Sequence, residues 1–166
     1  HGIAHVAAAA GYRVLLSDVT QEAVDAGLSR IRDNLDRSVA RGKVSYEERD
    51  STLANLFGEP DLRVAASEAD LIIEAVPEIA ALKQQIFALA AETAPTRTVF
   101  ASNTSSIPLA SLVGSLPRPE QFVGLHFFNP VHIQPLLEIV RAEQTSDHTL
   151  QTALHFAQRL GKEPIV

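Results

Sequence analysis

The chain has 166 residues, 46% of them hydrophobic, enough for one ordinary domain with a sizeable core and too few for a second large one. Its net charge of −6 and pI near 5.5, with Arg30, Arg32, Arg37, Arg41 and Lys43 scattered singly, exclude the basic stripe that holds nucleic acid and point to a small-molecule partner. The absence of cysteine excludes disulfides and thiolate metal sites, and no apolar run approaches the ~18 residues of a membrane span, so a soluble, cytoplasmic protein is expected.

In chain order, residues 3–10, IAHVAAAA, are small, apolar and strong helix formers, and Gly11 ends the run as a glycine just past a helix does. RVLLSD follows as a short strand buried on both faces, closed by a polar pair. From Thr20, Ala23, Val24, Leu28, Ile31, Leu35 and Val39 recur at helical intervals up to Gly42. A second helix is predicted over 46–57, capped by the Ser45 hydroxyl, making an inserted helical pair. Strands are predicted at 62–67 (LRVAAS) and 69–78 (ADLIIEAVPE). The second is so uniformly apolar that it is expected to be central, and it must end by Pro77. A helix over 79–92, strand 98–102, short helix 109–113, strands 122–127 and 135–141, and a helix from His148 to Leu160 complete the pattern. Strands alternating with helices predict an α/β fold, a doubly wound, Rossmann-type, mostly parallel sheet.

The opening looks like half of a dinucleotide-binding turn. Gly2 precedes a small-residue helix, a strand and an acid at its end, Asp18. In such a unit the pyrophosphate sits on the helix amino terminus and the acid binds the adenosine ribose hydroxyls. A carboxylate there repels a 2′-phosphate, and no arginine follows in VTQEA, so NAD is favoured over NADP. Read alone, Gly2 could equally be a loop glycine and Asp18 a turn former. The chain holds no methionine and starts on His1, so it is expected to be part of a longer polypeptide, truncated before its first strand and poorly stable and inactive by itself.

Three further segments carry more weight: IIEAVPE at 72–78, FASNTSS at 100–106 and GLHFFNP at 124–130. With the opening half-motif they resemble the L-3-hydroxyacyl-CoA dehydrogenase family, in particular its NAD-binding domain, over essentially the whole chain. The resemblance implies NAD-dependent oxidation of (S)-3-hydroxyacyl-CoA to 3-ketoacyl-CoA in fatty-acid β-oxidation or related metabolism. It implies a helical carboxyl-terminal domain beyond residue 166 that closes over the acyl-CoA, and a homodimeric full-length protein. Relatives acting on another 3-hydroxy substrate such as carnitine, and a non-catalytic NAD-binding or structural relative, are the alternatives.

Alcohol oxidation needs a base for the hydroxyl proton, and histidine, with an unperturbed pKa of about 6.5, suits that task. His126 falls at the carboxyl end of a predicted strand, where open α/β sheets bind ligands, and Glu138 falls 12 residues later on the next strand. These match the family's catalytic histidine and its orienting glutamate. A buried structural histidine and an exposed edge-strand charge are their plainer readings, although a glutamate inside PLLEIV needs a polar partner if its side is buried. The resemblance also implies that Ser105 and Asn129 lie at the substrate hydroxyl and the histidine's surroundings, and that Glu78, Lys83 and Asn103 contact the cofactor. Without it, Ser105 reads as a helix cap, Asn129 as a turn residue before Pro130, and Glu78 and Lys83 as solvated charges. His5, His132, His148 and His155 form no metal-binding pattern.

Overall fold

In the computed structural model, which describes all 166 residues, the alanine-rich opening folds as helix α1 (Gly2–Ala9). Gly11 then takes φ 87°, a left-handed conformation that a Cβ would oppose, and turns the chain into strand β1 (Val14–Leu16). Helix α2 (Gln21–Ala40) starts at Thr20, whose hydroxyl accepts from the Ala23 amide at 3.2 Å. Helix α3 (Tyr46–Ala54) starts on a reciprocal capping box in which Ser45 accepts from the Glu48 amide and Glu48 accepts from the Ser45 amide. Strand β2 (Leu56–Gly58) pairs parallel with β1, Val14 opposite Leu56, and helix α4 (Leu62–Ala66) follows. Ala4, Ile31 and Leu35 form the buried centre of this part, with Val14, Leu16, Leu53 and Leu56 packed against them.

Two expectations fail here. The helix predicted to reach Phe57 stops at Ala54, because Asn55 ends it and opens β2: its carbonyl accepts from the Val14 amide at 2.8 Å, and its side chain donates to the Ala8 carbonyl at 3.1 Å. The strand predicted at 62–67 is α4 instead. Asp61 accepts from the Arg63 amide at 2.9 Å, and its carbonyl accepts from Ala65, which starts a helix where composition alone reads as strand.

Residues 1–65 and 129–134 form one compact unit, and residues 66–128 and 135–166 a second. Within the first, His5 on α1 is 8% exposed and its Nδ1 is buried without a hydrogen-bond partner. Its ring stacks on His132, centroids 5.6 Å apart. Burial, and secondarily the charge of His132, push the His5 pKa down to about 4. An unfolded chain protonates this histidine at about 6.5, before the folded one does, so the folded state loses ground as pH falls from about 6.5 to about 4, by at most ~3 kcal/mol. Urea unfolding across that window is expected to show this decline in the wild type and a shallower one in His5→Gln. Equal slopes would show that the buried imidazole is not its source.

The second unit holds a five-stranded sheet of order β3-β4-β5-β6-β7. Its strands are β3 (Leu71–Glu74), β4 (Val99–Ser102), β5 (Phe122–Phe127), β6 (Leu136–Val140) and β7 (Glu163–Ile165). All neighbours are parallel except β5 and β6, which run antiparallel. Helix α5 (Ala80–Ala91) lies between β3 and β4 in sequence, α6 (Leu109–Val113) between β4 and β5, and α7 (Asp147–Arg159) between β6 and β7. Phe87 of α5 meets Phe100 and Phe122 edge-on, centroids 6.2 and 5.3 Å apart, and all three rings are fully buried. Such pairs add about 0.5–1.5 kcal/mol each beyond their buried area. At Gly124 a Cβ would come within 2.9 Å of Val140 and 3.1 Å of Leu109, so glycine lets β6 and α6 close on β5 two residues before His126.

Here β3 is an edge strand, not the central one expected, and Leu71, Ile72 and Ile73 are half-buried. An apolar run reports covered faces and says nothing of how many ladders a strand makes. It ends at Glu74, short of Pro77, as expected. β7 is a strand the sequence does not announce. It has three residues, one of them Pro164, tolerated because β7 is itself an edge. No helix is long and apolar enough to cross a membrane.

Candidate active site and cofactor-binding residues

The β5–β6 register sets His126 directly opposite Glu138. Directly opposed residues project to the same face of a sheet, and here Nδ1 of His126 lies 3.0 Å from Oε2 of Glu138. A carboxylate can only accept, so the neutral imidazole carries its proton on Nδ1 and leaves Nε2 as a free base. The His126 side chain is 18% exposed and that of Glu138 48%, while the ring of Phe128 leans on the imidazole at a centroid distance of 4.5 Å. The pair is thus reachable from solution on one side and packed on the other. Neither plainer reading describes it: His126 is not wholly buried, and Glu138 is on an inner strand with a partner, though on the exposed face of β6.

A polar network runs along the carboxyl ends of β3, β4 and β5. Lys83 on α5 is fully buried; its ammonium donates to Glu74 Oε1 at 2.8 Å and the Val76 carbonyl at 3.3 Å, and pairs with Glu78 Oε2 at 3.1 Å. Glu78 lies in the loop before α5, not on the helix with Lys83, and its Oε1 accepts from the Thr104 hydroxyl and from the amides of Ser105 at 3.1 Å and Ser106 at 3.2 Å. Desolvation pushes the Glu78 pKa up, but the hydrogen bonds from Thr104 and Lys83, the Lys83 charge and the Ser105 amide outweigh it and hold the carboxyl at about 2. Asn103 joins the strand ends of this network. Its amide donates to the Glu74 carbonyl at 2.8 Å, and its Oδ1 accepts from the Phe127 amide at 2.8 Å, next to His126.

Ser105 caps no helix: α6 starts after Pro108 without a side-chain cap, and the Thr104 hydroxyl closes the turn before it by accepting from the Ile107 amide at 2.9 Å. Ser105 is exposed, held through its amide. Glu74 and Thr104 are the members of this network that sequence reasoning missed. A glutamate closing an apolar strand was the available signal for the first, and nothing local marks the second.

Gly2, Asp18 and Asn129 belong to the first unit. Gly2 is the first residue of α1, where a Cβ would come within 3.0 Å of Val131. The α1 amino terminus has no side-chain cap and no acid in its first turn, which leaves its amides for an anion. Asp18 is exposed just past β1, and its Oδ1 accepts from the Val19 amide at 2.7 Å. Asn129 is exposed and joined to Pro130 by a cis peptide. Uncapped helix amides with an exposed acid past the next strand are a donor and acceptor set that fits a dinucleotide.

Parallel strands alternating with helices, polar side chains gathered at the strands' carboxyl ends, and an acid past β1 define a Rossmann-type dinucleotide-binding domain. The family described as 3-hydroxyacyl-CoA dehydrogenase, NAD binding domain, matches residues 1–166, and the chain belongs to that family and is an NAD-binding domain. Among solved structures, FadB2 of M. tuberculosis is 40% identical with a TM-score of 0.95, the match covering 99% of this chain and 58% of that one. A 3-hydroxybutyryl-CoA dehydrogenase from Escherichia coli K12 is 36% identical with a TM-score of 0.95, covering 99% and 34%. The (S)-3-hydroxybutyryl-CoA dehydrogenase PaaH1 of Ralstonia eutropha is 34% identical with a TM-score of 0.95, covering 99% and 58%. The chain therefore spans less than two thirds of the length of these neighbours.

Proposed function

We propose that the chain is the cofactor-binding part of a longer enzyme that oxidises (S)-3-hydroxyacyl-CoA to 3-ketoacyl-CoA in fatty-acid β-oxidation or a related pathway of the cytoplasm. A helical domain following residue 166 would close over the acyl-CoA and form the dimer. The observation that carries this reading is the 3.0 Å contact of His126 Nδ1 with Glu138, set by strand register at the carboxyl end of β5.

When bound, NAD supplies the acceptor for the hydride that leaves C3 of the substrate. His126 does the complementary work: its free Nε2 takes the hydroxyl proton as the carbonyl forms, so that hydride and proton leave together and the charges balance. Glu138 holds the ring in the tautomer that makes this possible and stabilises the imidazolium that results. Ser105, exposed and fixed by its amide, and Asn129 would contact the hydroxyl oxygen. Asp18 would hold the adenosine ribose and the amides above Gly2 the pyrophosphate. Glu78 and Asn103 would face the nicotinamide side. Lys83, with no exposed atom, would serve the cofactor only through Glu78.

The test is NADH formation by the full-length protein with (S)-3-hydroxybutyryl-CoA and longer homologues, run in parallel with NADP and with carnitine. Reduction of NAD with acyl-CoA substrates is expected. Because a hydrogen bond to a charged group contributes about 1.5–3 kcal/mol, Asp18→Ala should weaken NAD binding about 10- to 100-fold and narrow the preference over NADP. An acyl-CoA substrate that gives no NADH would sink the reaction, and an unchanged cofactor preference would sink the role of Asp18.

A further inference from the structure

We propose that Glu74, which has no part in the roles assigned above, is a positioning residue: it fixes the Lys83 ammonium at the point from which that ammonium holds Glu78. This rests on the reading that Glu78 faces the cofactor, and it adds the device that sets Glu78 in place.

An ammonium has three protons, and Lys83 has three acceptors: Glu74 Oε1, the Val76 carbonyl and Glu78 Oε2. No water can substitute for any of them, since Lys83 is 0% and Glu74 3% exposed. The Glu74 end is rigid. Its Oε1 also accepts from the Val76 amide at 2.7 Å, its Oε2 accepts from the Ser102 hydroxyl at 2.7 Å, and its backbone is in the β3–β4 ladder, Glu74 opposite Ser102. The Glu78 end is the loose one, a loop side chain 36% exposed that also receives the amides of residues 105 and 106. One cation thus sits between a fixed carboxylate and a movable one. With Glu74 neutral, a buried ammonium is left with a single counter-charge, and drawing Glu78 inward, off the Ser105 and Ser106 amides, is the nearest relief.

The experiment uses the full-length protein with NAD, (S)-3-hydroxybutyryl-CoA, and NADH fluorescence titration. E74Q keeps shape and removes charge. It is expected to raise the KM for NAD about tenfold with a much smaller change in kcat, and to change it less than about twofold in a K83M background, since Glu74 acts only through Lys83. Equal effects of E74Q in both backgrounds, or a wild-type KM in E74Q, would overturn the proposal.

Removing one member of a buried pair can prevent folding where neutralising both does not. If the single variants do not fold, the E74Q/K83M protein decides. Nothing then holds Glu78 at its inner end, so the KM for NAD is expected to rise about tenfold over wild type with a much smaller change in kcat; a wild-type KM in the double variant overturns the proposal. E78Q separates the two ideas. If E78Q leaves the KM for NAD unchanged, the placement of Glu78 at the cofactor fails and the role of Glu74 with it; if E78Q raises KM and E74Q does not, only the role of Glu74 fails.

Discussion

Replacing His126 by glutamine in the full-length protein is expected to lower kcat about 10²- to 10⁴-fold, the usual contribution of a positioned general base. The NAD dissociation constant should move by less than about twofold. Glutamine has nearly the reach of histidine and can donate to Glu138, so β5 and β6 keep their register and the fold is not at issue. What disappears is the lone pair on Nε2. An amide nitrogen does not accept a proton near neutral pH, and of the neighbours Phe128 is apolar, Asn103 spends its Oδ1 on the Phe127 amide, and the Glu138 carboxylate accepts from the amide now at 126. NADH titration and steady-state rates on the same preparation separate the two effects. Near-normal turnover would move the chemistry away from this strand end.

The site was more legible than parts of the fold that hold it. Strand β5 and helix α6 fall where the sequence puts them, because GLHFFNP closes an apolar run and LASLV is bounded by Pro108 and Gly114. The His126–Glu138 pairing could be anticipated from one residue type inside each of two apolar strands, although the antiparallel register that makes them opposite is not written in either segment. Strands β2 and β7 escape notice because three residues are too few to show a period of two. The segment at 62–67 misleads because its apolar content suits strand and helix alike, and the deciding signal is the Asp61 cap just before it. Lys83 misleads most. A lysine one turn into a helix reads as a surface charge, and only the tertiary structure shows it enclosed by Glu74, nine residues away, and Glu78. The same polar-in-apolar argument that flagged Glu138 applies to Glu74 at the end of LIIE, and there it is the stronger case, since Glu74 is buried and Glu138 is not.

For Glu138→Gln a smaller loss is expected, about tenfold to a thousandfold in kcat. The carboxylate does two things for His126: it selects the tautomer with the proton on Nδ1, and its charge stabilises the imidazolium formed when Nε2 takes the substrate proton. Glutamine can still accept from Nδ1 through its oxygen, so part of the first effect survives in the fraction of molecules with that amide orientation. In the other orientation the amide donates to Nδ1, the ring proton moves to Nε2, and the base is lost. The charge is lost in both, but Glu138 is 48% exposed, so water already screens it and its removal costs less than that of a buried counter-ion. The two substitutions should be strongly non-additive. With glutamine at 126 there is no imidazole to orient or to charge, so adding Glu138→Gln should lower kcat by no more than about twofold further, whereas independent roles would multiply the losses. The measurement is kcat for the wild type, the two single variants and the double variant, with NADH affinity as the control that the cofactor site is intact. A double variant much slower than His126→Gln would mean that Glu138 touches substrate or cofactor directly, and the 3.0 Å contact would then be incidental to turnover.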